Sequence, residues 1–290
     1  MKNIKRVAAV HDISGFGKAS LTVVIPILST LGIQVCPLPT AVLSSITEFP
    51  HARITDLTDF LDEIIQHWQE LGLKFDAVYS GFLGSPSQVN MVKRLIKTTV
   101  RQDSLIIVDP VMGDKGKLYS PFTPDIIMAM KELILSADVI TPNVTEAAFL
   151  LDKPQNLSLD QKQIIEWLFE LAELGPDTVI ITSVQDYDDP GITCVFAYCQ
   201  TNKEIWKMSC QYLPADFPGT GDTFSSIVTG FLLNDYKLPS AIEKAVNFIY
   251  HAIELSIKCV ADRRQGLYLE PILHLLHDPL DKFTISRITL

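Results

Sequence analysis

The chain has 290 residues, 47% of them hydrophobic and 20% charged, with a net charge of −10 and a pI near 5.0. That suffices for one large α/β domain or two small ones. The acidic balance argues against nucleic acid as a partner, which requires basic patches, and no apolar run nears the roughly 20 residues of a membrane span.

The first segment, Met1–Arg6, is basic, but the apolar run Val7–Val10 behind it stops at His11-Asp12 and is too short for a signal sequence. Strands are predicted at Arg6–Val10, Ile33–Leu38, Ala77–Ser80, Leu105–Val108, Val139–Thr141 and Thr178–Thr182. Between the second and third, Leu57, Phe60, Leu61, Ile64, Ile65, Trp68 and Leu71 fall on one helix face. Val89, Val92, Leu95 and Ile96 repeat that spacing before the fourth strand. Ile192–Cys199 and Glu204–Cys210, joined by the polar turn Gln200–Lys203, read as a β-hairpin. Helical patterns follow at about Asp222–Leu233 and Pro239–Val260. Strands alternating with helices predict an α/β fold with a mostly parallel sheet covered on both faces. No repeat or linker interrupts it, so one domain over residues 1–290 is expected.

The five cysteines, at 36, 194, 199, 210 and 259, form no C-x-x-C pair and are odd in number. They predict free thiols in a reducing cytoplasm rather than a disulfide or zinc framework. His274 and His277 lack an acidic or cysteine partner and suggest no metal site.

In open α/β sheets ligands bind beyond the carboxyl ends of the strands. Polar residues gather there: His11–Gly17 after the first strand, Asp109–Asp114 after the fourth, Pro142–Glu146 after the fifth and Ser183 after the sixth. Gly15-Phe16-Gly17 lacks the third glycine of a dinucleotide fingerprint, position 20 being Ser20, and that reading is rejected. The strongest chemistry lies in Gly219-Thr220-Gly221-Asp222. Glycines at the opening of a helix turn N–H groups toward an anion, and an adjacent aspartate can take a proton from an attacking hydroxyl. The combination suggests phosphoryl transfer to an alcohol. Asp109, Asn143 and Glu146 offer hard oxygens for a nucleotide's Mg²⁺. They also fit plain turn and cap roles, Glu146 lying three residues after Asn143 as in a capping box, and both readings stand.

Three motifs in this order, Asp109-Pro110-Val111-Met112-Gly113-Asp114, Thr141-Pro142-Asn143 with Glu146, and Gly219–Asp222, resemble the ribokinase superfamily. Ser44–Thr47, Ser80–Ser85 and Lys117-Leu118-Tyr119 narrow the resemblance to the pyridoxal (vitamin B6) kinases, over about residues 5–260. The resemblance implies a ribokinase-like three-layer α/β/α sandwich and ATP-dependent phosphorylation of the 5′-hydroxymethyl of pyridoxal, pyridoxine or pyridoxamine. It makes Asp222 the base and Gly219, Thr220 and Gly221 the anion hole. Asp109, Asn143 and Glu146 then lie around Mg²⁺ and the nucleotide phosphates, with Thr182 and Ser183 also on the phosphates. Asp114 and Thr141 lie near a monovalent or second cation. Thr47, Phe82 and Tyr119 line the ring pocket. The loop Asp12-Ile13-Ser14-Gly15 is closer to that of hydroxymethylpyrimidine kinases, the nearest alternative, and leaves Asp12 or Ser14 to meet the ring nitrogen. Glu48-Phe49-Pro50 stands where B6 kinases usually carry a tyrosine and is read as a lid. A non-catalytic vitamer carrier is the alternative from another class. A homodimer, soluble in the cytoplasm, is the expectation for assembly and place.

Overall fold

A computed structural model describes residues 4–120, 122–155 and 158–289. The elements run β1 (Arg6–Ser14), α1 (Leu21–Thr30), β2 (Gln34–Leu43), β3 (Ile54–Asp56), α2 (Thr58–Glu70), β4 (Phe75–Ser80), α3 (Pro86–Thr99) and β5 (Val100–Val108). A two-residue ribbon follows, β6 (Gly113–Asp114) and β7 (Lys117–Leu118), then α4 (Asp125–Ile134), β8 (Val139–Ile140), α5 (Val144–Leu150) and α6 (Gln161–Glu173). Then come β9 (Thr178–Gln185), β10 (Ile192–Cys199), β11 (Glu204–Gln211), α7 (Thr220–Leu233), α8 (Leu238–Cys259) and β12 (Ile285–Ile288).

Ten strands form one sheet in the order β12-β11-β10-β9-β8-β5-β4-β1-β2-β3. The six from β9 to β2 are parallel, and antiparallel strands extend the sheet at both edges. Side chains alternate across a strand, and the core divides accordingly. Ala8 and Val10 of β1, Val78 of β4, and Ile106 and Val108 of β5 face one layer of helices, built from α2 to α6. Val7 and Ala9, Ala77 and Tyr79, and Ile107 face the other, built from α1, α7 and α8. The three layers and the hairpin β10–β11 match the expectation from the sequence.

The first strand is longer than predicted. His11 to Ser14 belong to β1, which pairs with β2 through a register shift between His11 and Ile13. A bulge of this kind re-aims side chains and is frequent beside active sites. It lies at Asp12. The edge strands β3 and β12 were not predicted. Both are short and largely exposed, so they lack the apolar alternation that marks a buried strand.

Three distant segments cross at Lys18. Its N–H donates to the Gln265 carbonyl at 3.0 Å. Its own carbonyl lies so near Gly219 that a Cβ there would approach within 2.5 Å. Gly219 also adopts φ 78°, a conformation glycine reaches without steric cost. The turn into α7 is therefore fixed by glycine chemistry and by its packing under Lys18.

Candidate active site

The carboxyl ends of the parallel strands, the turn before α7 and the β6–β7 ribbon enclose the candidate site. Asp222 lies in the first turn of α7. The first intrahelical bond runs from the Thr223 N–H to the Gly219 carbonyl at 2.9 Å. The N–H groups of Thr220, Gly221 and Asp222 precede that bond, where helix geometry provides no internal acceptor, and the helix dipole favours an anion there. Among the described residues nothing stands within 4 Å of where a Gly221 Cβ would be, so a ligand can approach this backbone closely. The Thr220 hydroxyl donates to the Phe217 carbonyl at 2.7 Å, and the Thr223 hydroxyl to the Gly219 carbonyl at 2.7 Å.

Asp222 Oδ2 accepts a 2.9 Å hydrogen bond from the Ser20 N–H, across 202 residues of sequence. Ser20 sits at φ 53°, a costly conformation for a non-glycine residue. Burial lifts the Asp222 carboxyl from 3.8 to about 6; the Ser20 N–H pulls the other way and the Asp12 charge adds to the rise. Asp12 itself is 7% exposed and is raised, chiefly by burial.

Asp109, at the end of β5, is 5% exposed. Burial and the Asp222 charge push it up to about 7. The Ser225 hydroxyl donates to Asp109 Oδ2 at 2.9 Å, and Thr141 lies 2.9 Å from that hydroxyl. Glu146 completes the buried acids, raised by desolvation and by Asp109. Both its oxygens accept main-chain N–H bonds, from Met112 at 3.1 Å and Asn143 at 2.9 Å. The capping box therefore forms, with Asn143 Oδ1 accepting from Glu146 N–H. Asn143 Nδ2 holds the Gly113 carbonyl at 2.9 Å, tying α5 to the β6–β7 ribbon. The ribbon demands glycine at 113, since a Cβ there would meet the Lys117 carbonyl at 2.3 Å.

Among the described residues, Asp12, Asp109, Glu146 and Asp222 make no ion pair with lysine or arginine. Four acids raised together, Asp12, Asp109 and Glu146 buried and Asp222 13% exposed, without a cationic neighbour, suit a cation. No three Asp, Glu, His or Cys among the described residues converge to cage one alone. Such a donor set fits Mg²⁺, which keeps waters and borrows substrate phosphates for much of its shell.

The remaining predicted residues divide into two groups. Tyr119, though 42% exposed, is raised by partial burial and by the charges of Glu146, Asp114, Asp109 and Asp222. Thr182 bridges Asn143, and Ser183 follows in a left-handed conformation at φ 57°. Asp114 is exposed, its Oδ1 accepting from the Lys115 N–H at 2.8 Å. Lys115 pairs with Asp216 at 2.6 Å, joining the ribbon tip to the segment before the glycine turn. Phe82 stacks on Phe122 at 5.2 Å. Thr47 is exposed, and among the described residues Ser14 Oγ has no hydrogen-bond partner. In the expected lid, Phe49 packs on Phe16 at 5.2 Å and under the Arg264 guanidinium at 4.8 Å.

His11 was not predicted as a site residue. It is fully buried, with Nδ1 4.0 Å from Asp222 Oδ1. Its only signal in the sequence is a polar pair, His11-Asp12, interrupting an apolar strand. A separate cavity of about 360 Å³ lies between the start of α6 and the β9–β10 turn. Its Lys207 and Asp186 already pair with each other at 3.1 Å.

Residues 30–265 match the family model described as phosphomethylpyrimidine kinase. Human pyridoxal kinase is 27% identical over 267 residues, covering 84% of this chain and 83% of its own. Among solved structures, pyridoxal kinase from Lactobacillus plantarum is 30% identical with a TM-score of 0.86, covering 94% of this chain and 97% of its own. A Bacteroides thetaiotaomicron protein, provisionally described as a phosphomethylpyrimidine kinase and crystallised with pyridoxal, is 47% identical with a TM-score of 0.95, over 99% of this chain and 100% of its own.

Proposed function

The chain belongs to the phosphomethylpyrimidine kinase family, and within it we propose an enzyme that moves the terminal phosphoryl group of ATP to the 5′-hydroxymethyl of a B6 vitamer, pyridoxal, pyridoxine or pyridoxamine. The observation that carries this is the position of Asp222, held by the Ser20 N–H beside the open N–H groups of α7. A hydroxymethyl oxygen beside Asp222 attacks the terminal phosphorus, its proton passes to the carboxylate, and the bond to the departing ADP oxygen breaks. The open N–H groups of Thr220, Gly221 and Asp222, presented by the Gly219 turn, stabilise charge on the moving group, which is most of what a loose phosphoryl transition state asks of a protein.

Mg²⁺, bound through Asp109 and Glu146 with Asp114 and Thr141 nearby, would supply charge neutralisation for the phosphates. Asn143, Thr182 and Ser183 belong on the phosphate side of the cleft. Asp12, Ser14, Thr47, Phe82 and Tyr119 belong on the ring side. The Lys115–Asp216 pair and the Phe49 segment close over the cleft and limit transfer to water. A single kinase domain over residues 1–290, a homodimer and a cytoplasmic setting complete this reading.

A second reading, hydroxymethylpyrimidine phosphorylation, is favoured by Asp12-Ile13-Ser14-Gly15 and by the description of the matching family. Product formation with Mg-ATP against pyridoxal, pyridoxine, pyridoxamine, hydroxymethylpyrimidine and ribose separates the two. Fast pyridoxal phosphate formation is the expected result. Turnover of hydroxymethylpyrimidine alone would replace the first reading with the second.

A further inference from the structure

Three features surround His11 that packing alone leaves unexplained. The imidazole is 0% exposed, and neither ring nitrogen has a hydrogen-bond partner among the described residues. Buried polar atoms left unpaired are rare and costly. Its Nδ1 points toward the catalytic carboxylate, 4.0 Å from Asp222 Oδ1. Two neighbours hold it there. Tyr79 meets it edge-on, with ring centroids 4.5 Å apart, and Gly81 lacks the Cβ that would approach within 2.3 Å of Nδ1.

Burial lowers the imidazole pKa to about 3, the Tyr79 backbone pulling weakly the other way without meeting hydrogen-bond geometry, so it stays neutral and does not receive the substrate's proton. A neutral imidazole carries one N–H donor, and an ionised carboxylate only accepts. The Asp222 oxygens are then distinguishable. Oδ2 is anchored by Ser20, while Oδ1 faces His11. A distance of 4.0 Å is too long for a hydrogen bond, but catalytic contacts are often long without substrate and tighten in the reacting complex.

We infer that His11 is a positioning residue for the base: its Nδ1–H donates to Asp222 Oδ1 when the cleft closes on substrate, fixing the carboxylate against the hydroxymethyl group. The inference rests on the reading of Asp222 as the base. Ser20 and His11 together would leave the carboxylate one orientation, and a misplacement of about 1 Å can cost roughly 100-fold in rate.

The test compares His11→Leu with His11→Asn, whose amide nitrogen replaces Nδ1. His11→Leu should lower kcat by roughly 10- to 100-fold, with the KM values for ATP and pyridoxal within about twofold of native. His11→Asn should recover most of the loss. On an Asp222→Asn background, His11→Leu should cost nothing further, because residues that act as a unit are non-additive. Native turnover in His11→Leu, equal losses in the Leu and Asn variants, or the same loss on the Asp222→Asn background would each overturn the inference. If Asp222→Asn alone keeps native turnover, the base assignment fails, and this inference with it. His11→Phe, which keeps a ring against Tyr79, replaces His11→Leu in the comparison if the latter does not fold.

Discussion

Replacing Asp222 by asparagine should abolish most turnover and yet stabilise the protein, with both effects rooted in the same burial. The carboxyl rises from 3.8 to about 6 on folding. An acid raised in this way binds its proton more tightly when folded, so between about pH 4 and 6 folding takes up protons and stability falls as pH rises. Above pH 6 the full cost of the buried charge is present. At 1.36 kcal/mol per pH unit, that cost is about 3 kcal/mol. Asparagine keeps an oxygen for the Ser20 N–H and carries no charge. With an unfolding entropy of about 2.1 cal/mol/K per residue, about 3 kcal/mol over this chain raises Tm by about 5 °C. Calorimetry of both proteins at pH 8 and pH 4 is the assay. A rise at pH 8 that shrinks at pH 4, with turnover down by about 100-fold or more, is the expected result. An unchanged or lower Tm at pH 8, or a gain of equal size at pH 4, would refute the electrostatic account.

The same acid sets a pH profile. kcat/KM should fall as pH drops below about 6, since Asp222 protonates there and a protonated base cannot accept the hydroxymethyl proton; a flat profile from pH 4 to 8 would contradict it. Gly219→Ala forces a side chain into φ 78° and against the Lys18 carbonyl. It should cost at least about 1 kcal/mol in urea unfolding and greatly reduce turnover, and native behaviour would mean the turn is not fixed as described. Ser225→Ala removes the donor to Asp109 Oδ2 and should destabilise by about 1–3 kcal/mol, measurable in the same unfolding experiment.

The central strands and the β10–β11 hairpin were legible because their residues alternate or run apolar, and the α7 and α8 patterns because theirs repeat at helical spacing. The Asn143–Glu146 capping box was equally visible, since its partners lie three residues apart. The extension of β1 was not, because His11 and Asp12 look like the end of a strand. Their surroundings come from distant segments, Tyr79 and Gly81 beside His11, with Asp222 of α7 at 4.0 Å from its Nδ1. Ser225 is a further case: in the sequence it is one more small helical residue, but it connects Thr141 with Asp109 across 84 and 116 residues. Hydrogen bonds of that reach leave no periodic trace. Glu146 was readable as a cap or as a phosphate-side acid, and its reciprocal bonds with Asn143 show that the cap forms without deciding the second role.

The Ser20–Asp222 bond has a consequence for synthesis of the chain. Its two ends are made 202 residues apart, and chains emerge from the ribosome N-terminus first. Until α7 has emerged, the first βα unit presents Ser20 with no carboxylate to hold, and the strands already made carry no base. A chain that stops before α7 lacks the Asp222 carboxylate altogether. The base comes into place only once α7 has been made and has met the first βα unit.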